Sequence, residues 1–306
     1  MASDDLPGWL DAWCDAHLGA RPVRVIFRWQ RISTVFGVRL DDGRDVVVKA
    51  RADDGRAGAC VVAQKRLAER GFPCPRPLTP VLAVDGLAVH AEEFRPGGAP
   101  LAGDSPDVAA RCAAVFARAT AELAAVDVPP PLPNPRWVRW DHDGPGLWPP
   151  IGFLDERDQR AVPRYVVEAA GRVRVRLLAT ALPRVLGHAD FEAQNLRWRD
   201  GRVWVVHDWD SLAWQPEAAL VGAASGAFSS ATPPTLAPIA ASAAFLAAYQ
   251  RHRGRRFTAE EQEVAWAAGL WPALHNARWE ALHGDAPLSC GTVRAQAAER
   301  LRRANA

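Results

Sequence analysis

Residues 187–210 read GHADFEAQNLRWRDGRVWVVHDWD, the most informative segment of the chain. It is expected to place Asp190 in a loop after a helix and Asn195 at the start of a short strand. Leu196 to Trp198 and Val203 to Val206 read as two short strands flanking the turn Arg199-Asp200-Gly201. Asp208 and Asp210 follow the second strand. A hairpin of these strands would bring Asn195 and Asp208 side by side at one end. Hard cations such as Mg²⁺ take oxygen ligands, often one or two protein groups plus substrate phosphates. Asn195 and Asp208 fit that description, and Asp190 is placed to orient or deprotonate an attacking hydroxyl. Taken singly, Asp190 is a cap or turn residue and Asp208-Trp209-Asp210 a turn. Their spacing and strand context are what point to chemistry.

Upstream, the chain is strand-rich. Residues 4–18 have helical spacing of Leu10, Trp13, Cys14 and Leu18. Val23–Trp29, Thr34–Leu40 and Asp45–Ala50 read as strands, with Asp41-Asp42-Gly43-Arg44 as a hairpin turn. Residues 59–70 read as a helix ending before Gly71. Val81–Val84 and Leu87–Glu93 form a second hairpin around Asp85-Gly86. Pro96-Gly97-Gly98 then breaks the chain, and the character changes. Residues 105–126 and 155–180 read as helices, and residues 128–150 as a Pro- and Trp-rich loop or insertion. After the 196–206 hairpin the remainder reads as mostly helical. The tryptophans of the insertion, Trp137, Trp140 and Trp148, are expected to pack rather than stack on a substrate.

The 187–210 pattern is HxDxxxxN, a strand, then DxD. It resembles the catalytic core of the aminoglycoside phosphotransferase family, which shares the protein-kinase-like fold. The resemblance implies an α+β, bilobal fold: a small antiparallel-sheet N-lobe with one helix (1–95) and a larger, mostly helical C-lobe (96–306). It implies Asp190 as the catalytic aspartate, Asn195 and Asp208 as Mg²⁺ ligands, and His188 as a structural brace. Asp210 matches the second acid of the family's DxD. Lys49, in DVVVKA, falls where the phosphate-contacting lysine belongs. Residues 90–98, HAEEFRPGG, resemble the interlobe hinge, so Glu92, Glu93 and Phe94 would hold the base of ATP or GTP. The similarity extends over about residues 20–285. Two features depart from the pattern. The first hairpin, RWQRISTVFGV, has no glycine-rich loop, which leaves Ser33, Thr34 and backbone N–H groups to cover the phosphates. The acid expected to pair with Lys49 is missing: helix 59–70 presents Cys60 and Gln64 inward, and Glu69 lies too near its end.

Composition bounds the remaining classes. The 306 residues are 49% hydrophobic and 24% charged, ordinary globular values. The net charge of +2 and the lack of a basic run argue against nucleic acid as a partner. Residues 218–250 carry no charge, but Pro233-Pro234 divides them, so two buried helices rather than a membrane span are expected. Five scattered cysteines and the absence of a secretory signal point to reduced thiols and a cytoplasmic protein. Only two of the 37 basic residues are lysines, so a retained lysine is a candidate for chemistry.

A small-molecule hydroxyl acceptor, in a metabolite or antibiotic, is the leading reading, with the protein a monomer or homodimer. Two alternatives stand beside it. A metal-dependent hydrolase would use His188, Asp190, His207 and Asp208, although His207 and Asp208 adjoin and should face opposite ways. A nucleotide-binding pseudoenzyme is suggested only by the missing lysine partner. From residue 211 onward seven acids stand against nine arginines, which favours a neutral, partly apolar or anionic acceptor over a polycation.

Overall fold

The computed structural model describes residues 6–30, 33–231 and 233–306. The chain divides into two compact units. The first runs to Gly97 and takes in Val126–Pro133 and Val205–Asp210; the second comprises Gly98–Ala125, Asn134–Trp204 and Ser211–Ala306.

The first unit is built on a five-stranded antiparallel sheet in the order β1-β2-β3-β5-β4. Its strands are β1 (Pro22–Gln30), β2 (Thr34–Leu40), β3 (Asp45–Ala52), β4 (Leu82–Val84) and β5 (Leu87–Glu93). Alternation gives the sheet two distinct faces. Phe36, Val38 and Leu40 of β2, Val46, Val48 and Ala50 of β3, and Val89 and Ala91 of β5 share one face. They pack with Leu10, Trp13 and Cys14 of helix α1 (Gly8–Leu18) into a buried apolar cluster. The opposite face of β3 and β5 carries Val47, Lys49, Arg51, His90 and Glu92. Helix α2 (Ala57–Glu69) buries Cys60 and Gln64 in the same unit. The 85–86 turn sits where Asp85 and Gly86 both have positive φ, 49° and 77°, as a tight two-residue hairpin turn requires.

The second unit is mainly helical: α3 (Pro106–Leu123), a single turn α4 (Gly152–Asp155), α5 (Arg164–Leu178), α6 (Glu217–Ala227), α7 (Ile239–Arg253), α8 (Ala259–Ala268), α9 (Trp271–His283) and α10 (Leu288–Arg303). Ser105 caps α3 by accepting from the Val108 N–H, and a Thr258–Glu261 capping box opens α8. The uncharged 218–250 stretch does form two helices, α6 and α7, and no helix among the described residues is long and apolar enough to cross a membrane. All five cysteines are buried and unbridged.

Two sequence expectations fail here for identifiable reasons. The 155–180 helix begins only at Arg164, because Pro163 lacks the N–H and holds an extended backbone at the helix entrance (φ −57°, ψ 137°). The region around 187 and 212 is not all loop and helix. Strands β6 (Arg184–His188) and β9 (Leu212–Pro216) pair antiparallel, His188 opposite Leu212. Asp190 therefore follows a strand rather than a helix. The two expected strands, β7 (Leu196–Arg199) and β8 (Arg202–Val206), pair as a hairpin.

From Asn134 onward the Pro- and Trp-rich segment is part of the helical unit, held there by one side-chain oxygen and two backbone carbonyls. Asn134 Oδ1 accepts from the Trp214 N–H, Val138 O from Gln215 Nε2 and Trp137 O from Trp271 Nε1. Trp148 lies against Trp271 and the buried Arg278.

Helix α6 crosses close to the backbone of α8 and the residue after it. A Cβ on Gly222 would collide with the carbonyl of Ala265, and one on Gly226 with the carbonyl of Gly269. Backbone cannot yield as a side-chain tip can. Gly222→Ala is therefore expected to cost about 3 kcal/mol, the upper part of the overpacking range, read as a lowered midpoint in guanidinium unfolding.

Candidate active site

Lys49 lies within β3, opposite Val35 of β2 and His90 of β5. Glu92 stands opposite Val47, so Lys49 and Glu92 are a diagonal pair on one sheet face, within reach of long side chains. Lys49 Nζ lies 3.1 Å from Glu92 Oε1. Glu92 is 2% exposed and Lys49 9%. Gln64 of α2 completes the arrangement: its Nε2 donates to Glu92 Oε2 and to the Pro75 carbonyl, both at 2.8 Å. Burial disfavours the charge on Lys49, but Glu92, Asp210 and Asp208 outweigh it and raise its pKa above the ordinary lysine value. The lysine stays cationic.

The segment after β8 belongs to this same unit. Val206 N–H donates to the Pro73 carbonyl at 2.7 Å, and Trp209 Nε1 to the Val206 carbonyl at 2.8 Å. The Trp209 ring is 1% exposed and meets Phe72 edge-on at 5.6 Å. Asp210 Oδ2 pairs with Arg51 at 3.1 Å, and its Oδ1 lies 3.9 Å from Lys49. Burial works against the carboxylate, but Lys49 and Arg51 hold its pKa well below the usual range. Asp208 has φ 63°, a left-handed conformation uncommon for a residue with a side chain. The other described aspartates with positive φ, Asp85 and Asp200, each precede a glycine in a hairpin turn; Asp208 does not. Strained backbone of this kind clusters at functional sites.

In the second unit, Asp190 sits in the loop that leaves β6. Its N–H donates to Nδ1 of the buried His188 at 3.2 Å, and the N–H of Ala189 to the Ser211 carbonyl at 2.8 Å. Phe191 is buried against Phe116, ring centroids 4.9 Å apart, which anchors the far side of the loop. Asn195 closes a single 3₁₀ turn immediately before β7. Its Nδ2 donates to the Asp190 carbonyl at 2.8 Å and to Asp190 Oδ2 at 3.0 Å. That clamp fixes the carboxylate and turns the amide nitrogen toward it. The atom of Asn195 suited to a hard cation is then its carbonyl oxygen Oδ1.

The expected hinge residues take other work with their side chains. Glu92, on β5, is the ion-pair partner of Lys49. Glu93 pairs with Arg76 through Oε1 at 2.9 Å, and its N–H donates to the Arg76 carbonyl. Phe94 lies 5.9 Å from the Phe27 ring. That ring occupies the place a Cβ on Gly37 would need, which gives the lone glycine of VFGV a packing role. Ser33 and Thr34 are half-buried where β2 begins, Thr34 opposite Ala50; the neighbouring Arg31 and Ile32 lie outside the described residues. Sequence reasoning did not find Arg51 as the partner of Asp210. The signal was present in the alternation of VVVKAR, which puts Lys49 and Arg51 on one face.

Within its own unit, Asn195 carries an amide oxygen and Asp208 a carboxylate, both oxygen donors of the kind a hard cation takes. Among the described residues, no group of three or more His, Cys, Asp or Glu side chains is placed to hold a metal.

The antiparallel sheet with its helix, and the helical unit bearing the Asp190 loop, make up an α+β fold of the protein-kinase-like class. A sequence model of the phosphotransferase enzyme family matches residues 26–255, and the chain belongs to that family. It is a phosphotransferase. The chain is similar in structure to amicoumacin kinase hAmiN in complex with AMP-PNP, Ca²⁺ and Ami, at TM-score 0.65 and 12% identity over 92% of this chain and 89% of that one. It is similar to a thermostable mutant of aminoglycoside phosphotransferase APH(4)-Ia in ternary complex with ADP and hygromycin B, at TM-score 0.57 and 15% identity over 97% and 99% of the two chains. An aminoglycoside phosphotransferase from Alicyclobacillus acidocaldarius matches at TM-score 0.55 and 14% identity over 99% and 95%. No curated protein matches the sequence significantly.

Removing the Asp210 charge leaves Arg51 buried without its carboxylate partner. Asp210→Asn should therefore destabilise the protein by about 3 kcal/mol, the cost of breaking a buried pair on one side, measured by urea or guanidinium unfolding.

Proposed function

We propose that the protein transfers the γ-phosphoryl group of ATP or GTP to a hydroxyl of a small molecule, a metabolite or an antibiotic. The observation that carries this reading is the clamp of Asn195 on Asp190, which holds one carboxylate in a loop braced by His188. Phosphoryl transfer asks little covalent chemistry of a protein; it needs positioning and charge neutralisation. Asp190 accepts a hydrogen bond from the acceptor hydroxyl, aligns its oxygen and takes its proton as the phosphoryl group moves. Lys49 places a fixed positive charge on the donor phosphates. Asn195 Oδ1 and the Asp208 carboxylate are the groups that would hold Mg²⁺, which when bound supplies neutralisation of the phosphate oxygens. The base of the nucleotide lies along the backbone at Glu92 to Phe94, since the side chains of Glu92 and Glu93 are already engaged. Complexes of the structural neighbours with AMP-PNP and Ca²⁺, and with ADP and hygromycin B, support a nucleotide donor and a small-molecule acceptor.

The acceptor reading follows from where five of the seven acids beyond residue 211 are spent. Glu217 accepts from Tyr249 and Arg255, Glu261 from Arg255 and from the cap of α8, and Glu263 from Arg176. Glu280 accepts from the N–H groups of Ser289 and Cys290, and Glu299 from Arg302 and Arg303. Carboxylates neutralised internally contribute little field for a tri- or tetracationic substrate. The acceptor is therefore neutral, partly apolar or anionic.

Two measurements test these assignments. Asp190→Ala should keep nucleotide binding and lose about 10²-fold or more in kcat, while Asp208→Ala should lose Mg²⁺-dependent triphosphate binding; near-native turnover by the Asp190 variant would reject the role. In a phosphate-transfer screen over hydroxylated compounds, neutral or anionic acceptors should outperform aminoglycosides. Efficient phosphorylation of aminoglycosides with saturation in the micromolar range would overturn the acceptor class.

A further inference from the structure

We infer that Glu92 is a positioning residue: it is the counter-ion that fixes Lys49 for the donor phosphates, in place of an acid on α2. This rests on the proposed function of Lys49. The geometry comes from two strands and a helix of one unit. Lys49 Nζ is 3.1 Å from Glu92 Oε1, while the next carboxylate, Asp210 Oδ1, is 3.9 Å away and belongs to a group already paired with Arg51. Glu92 Oε2 is taken by Gln64 Nε2 at 2.8 Å, and that same nitrogen reaches the Pro75 carbonyl. Both oxygens of the buried carboxylate are thus directed, one at the lysine and one at the helix.

This arrangement has a consequence for how the lysine is held. An ammonium on a four-carbon stem is a mobile point charge unless a partner fixes it. Here the partner sits on β5, hydrogen-bonded to the lysine's own strand β3, so both ends of the pair are set by the sheet. Helix α2 contributes a neutral amide that orients Glu92 without adding charge. The lysine is pre-set in the free protein, and the position of α2 does not switch its ion pair on or off.

The test separates phosphate positioning from fold support. Binding of the Mg²⁺ complex of AMP-PNP or GMP-PNP, whichever the wild type prefers, is compared with binding of the matching nucleoside by calorimetry. Glu92→Gln should weaken the triphosphate analogue roughly tenfold or more, as expected for removing one member of a buried charge pair, and leave the nucleoside within about twofold. The double variant Glu92→Gln with Gln64→Glu keeps the charge of the cluster and moves it to α2; it should recover most of the loss, and it also serves if Glu92→Gln alone folds poorly. Equal weakening of analogue and nucleoside, an unchanged analogue affinity, or a double variant as weak as Glu92→Gln would each overturn the inference. Failure of the wild type to bind any Mg²⁺–nucleotide would instead overturn the proposed function, and this inference with it.

Discussion

Four charges on one largely buried surface set the terms for the first unit. Lys49, Arg51, Glu92 and Asp210 have side chains that are 3–12% exposed. No one of them could be buried ionised alone, because desolvation costs several kcal/mol per charge. Each is tolerable only while the others are in place. Asp210 comes from a segment far along the chain, so the charge balance of the sheet requires that residues 205–210 return to it. That return is backed by the Val206–Pro73 hydrogen bond and by the burial of Trp209 against Phe72. The neighbouring Asp208, with its left-handed backbone, lies between the end of β8 and the buried Trp209.

A parallel economy holds the Asp190 loop. Besides the burial of Phe191, its order comes from hydrogen bonds that close on themselves: Asp190 to His188, Asn195 to Asp190 twice, Ala189 to Ser211. The Ser211 contact depends on β9 running beside β6. The proposed role of Asp190 would need this degree of fixation, since displacement of about 1 Å can cost about 10²-fold in rate.

The parts legible in the sequence were those with local signals. The β2–β3 and β4–β5 hairpins announce themselves through Asp-Gly turns, and the HxDxxxxN spacing singles out Asp190 and Asn195, which the structure joins by hydrogen bonds. Strands β6 and β9 were not legible. RVLGH and LAWQP are five residues each, have no turn between them, and become strands only because they meet across the intervening hairpin. The start of α5 at Arg164 was readable in principle from Pro163, and the helical periodicity before it was over-extended. The partner of Lys49 was sought on a helix because the family pattern puts it there. A strand diagonal was the missed possibility: once β3 and β5 are taken as neighbours, period-two alternation alone puts Lys49 and Glu92 on the same face.

Identities of 12–15% over more than nine-tenths of this chain, with the fold kept, accord with what phosphoryl transfer demands. The chemistry specifies where charge must stand and which oxygens face it, not which chain segment supplies them. A carboxylate beside a buried lysine satisfies the electrostatics equally from α2 or from β5, provided the distance and burial are the same. Moving it to β5 leaves a buried helix position facing a carboxylate. Glutamine fills that position with a donor that satisfies one Glu92 oxygen, where a second acid would repel it and an apolar residue would leave it unpaired. Gln64 and Glu92 are therefore best understood together: the neutral amide on the helix and the carboxylate on the strand satisfy each other while one negative charge faces Lys49.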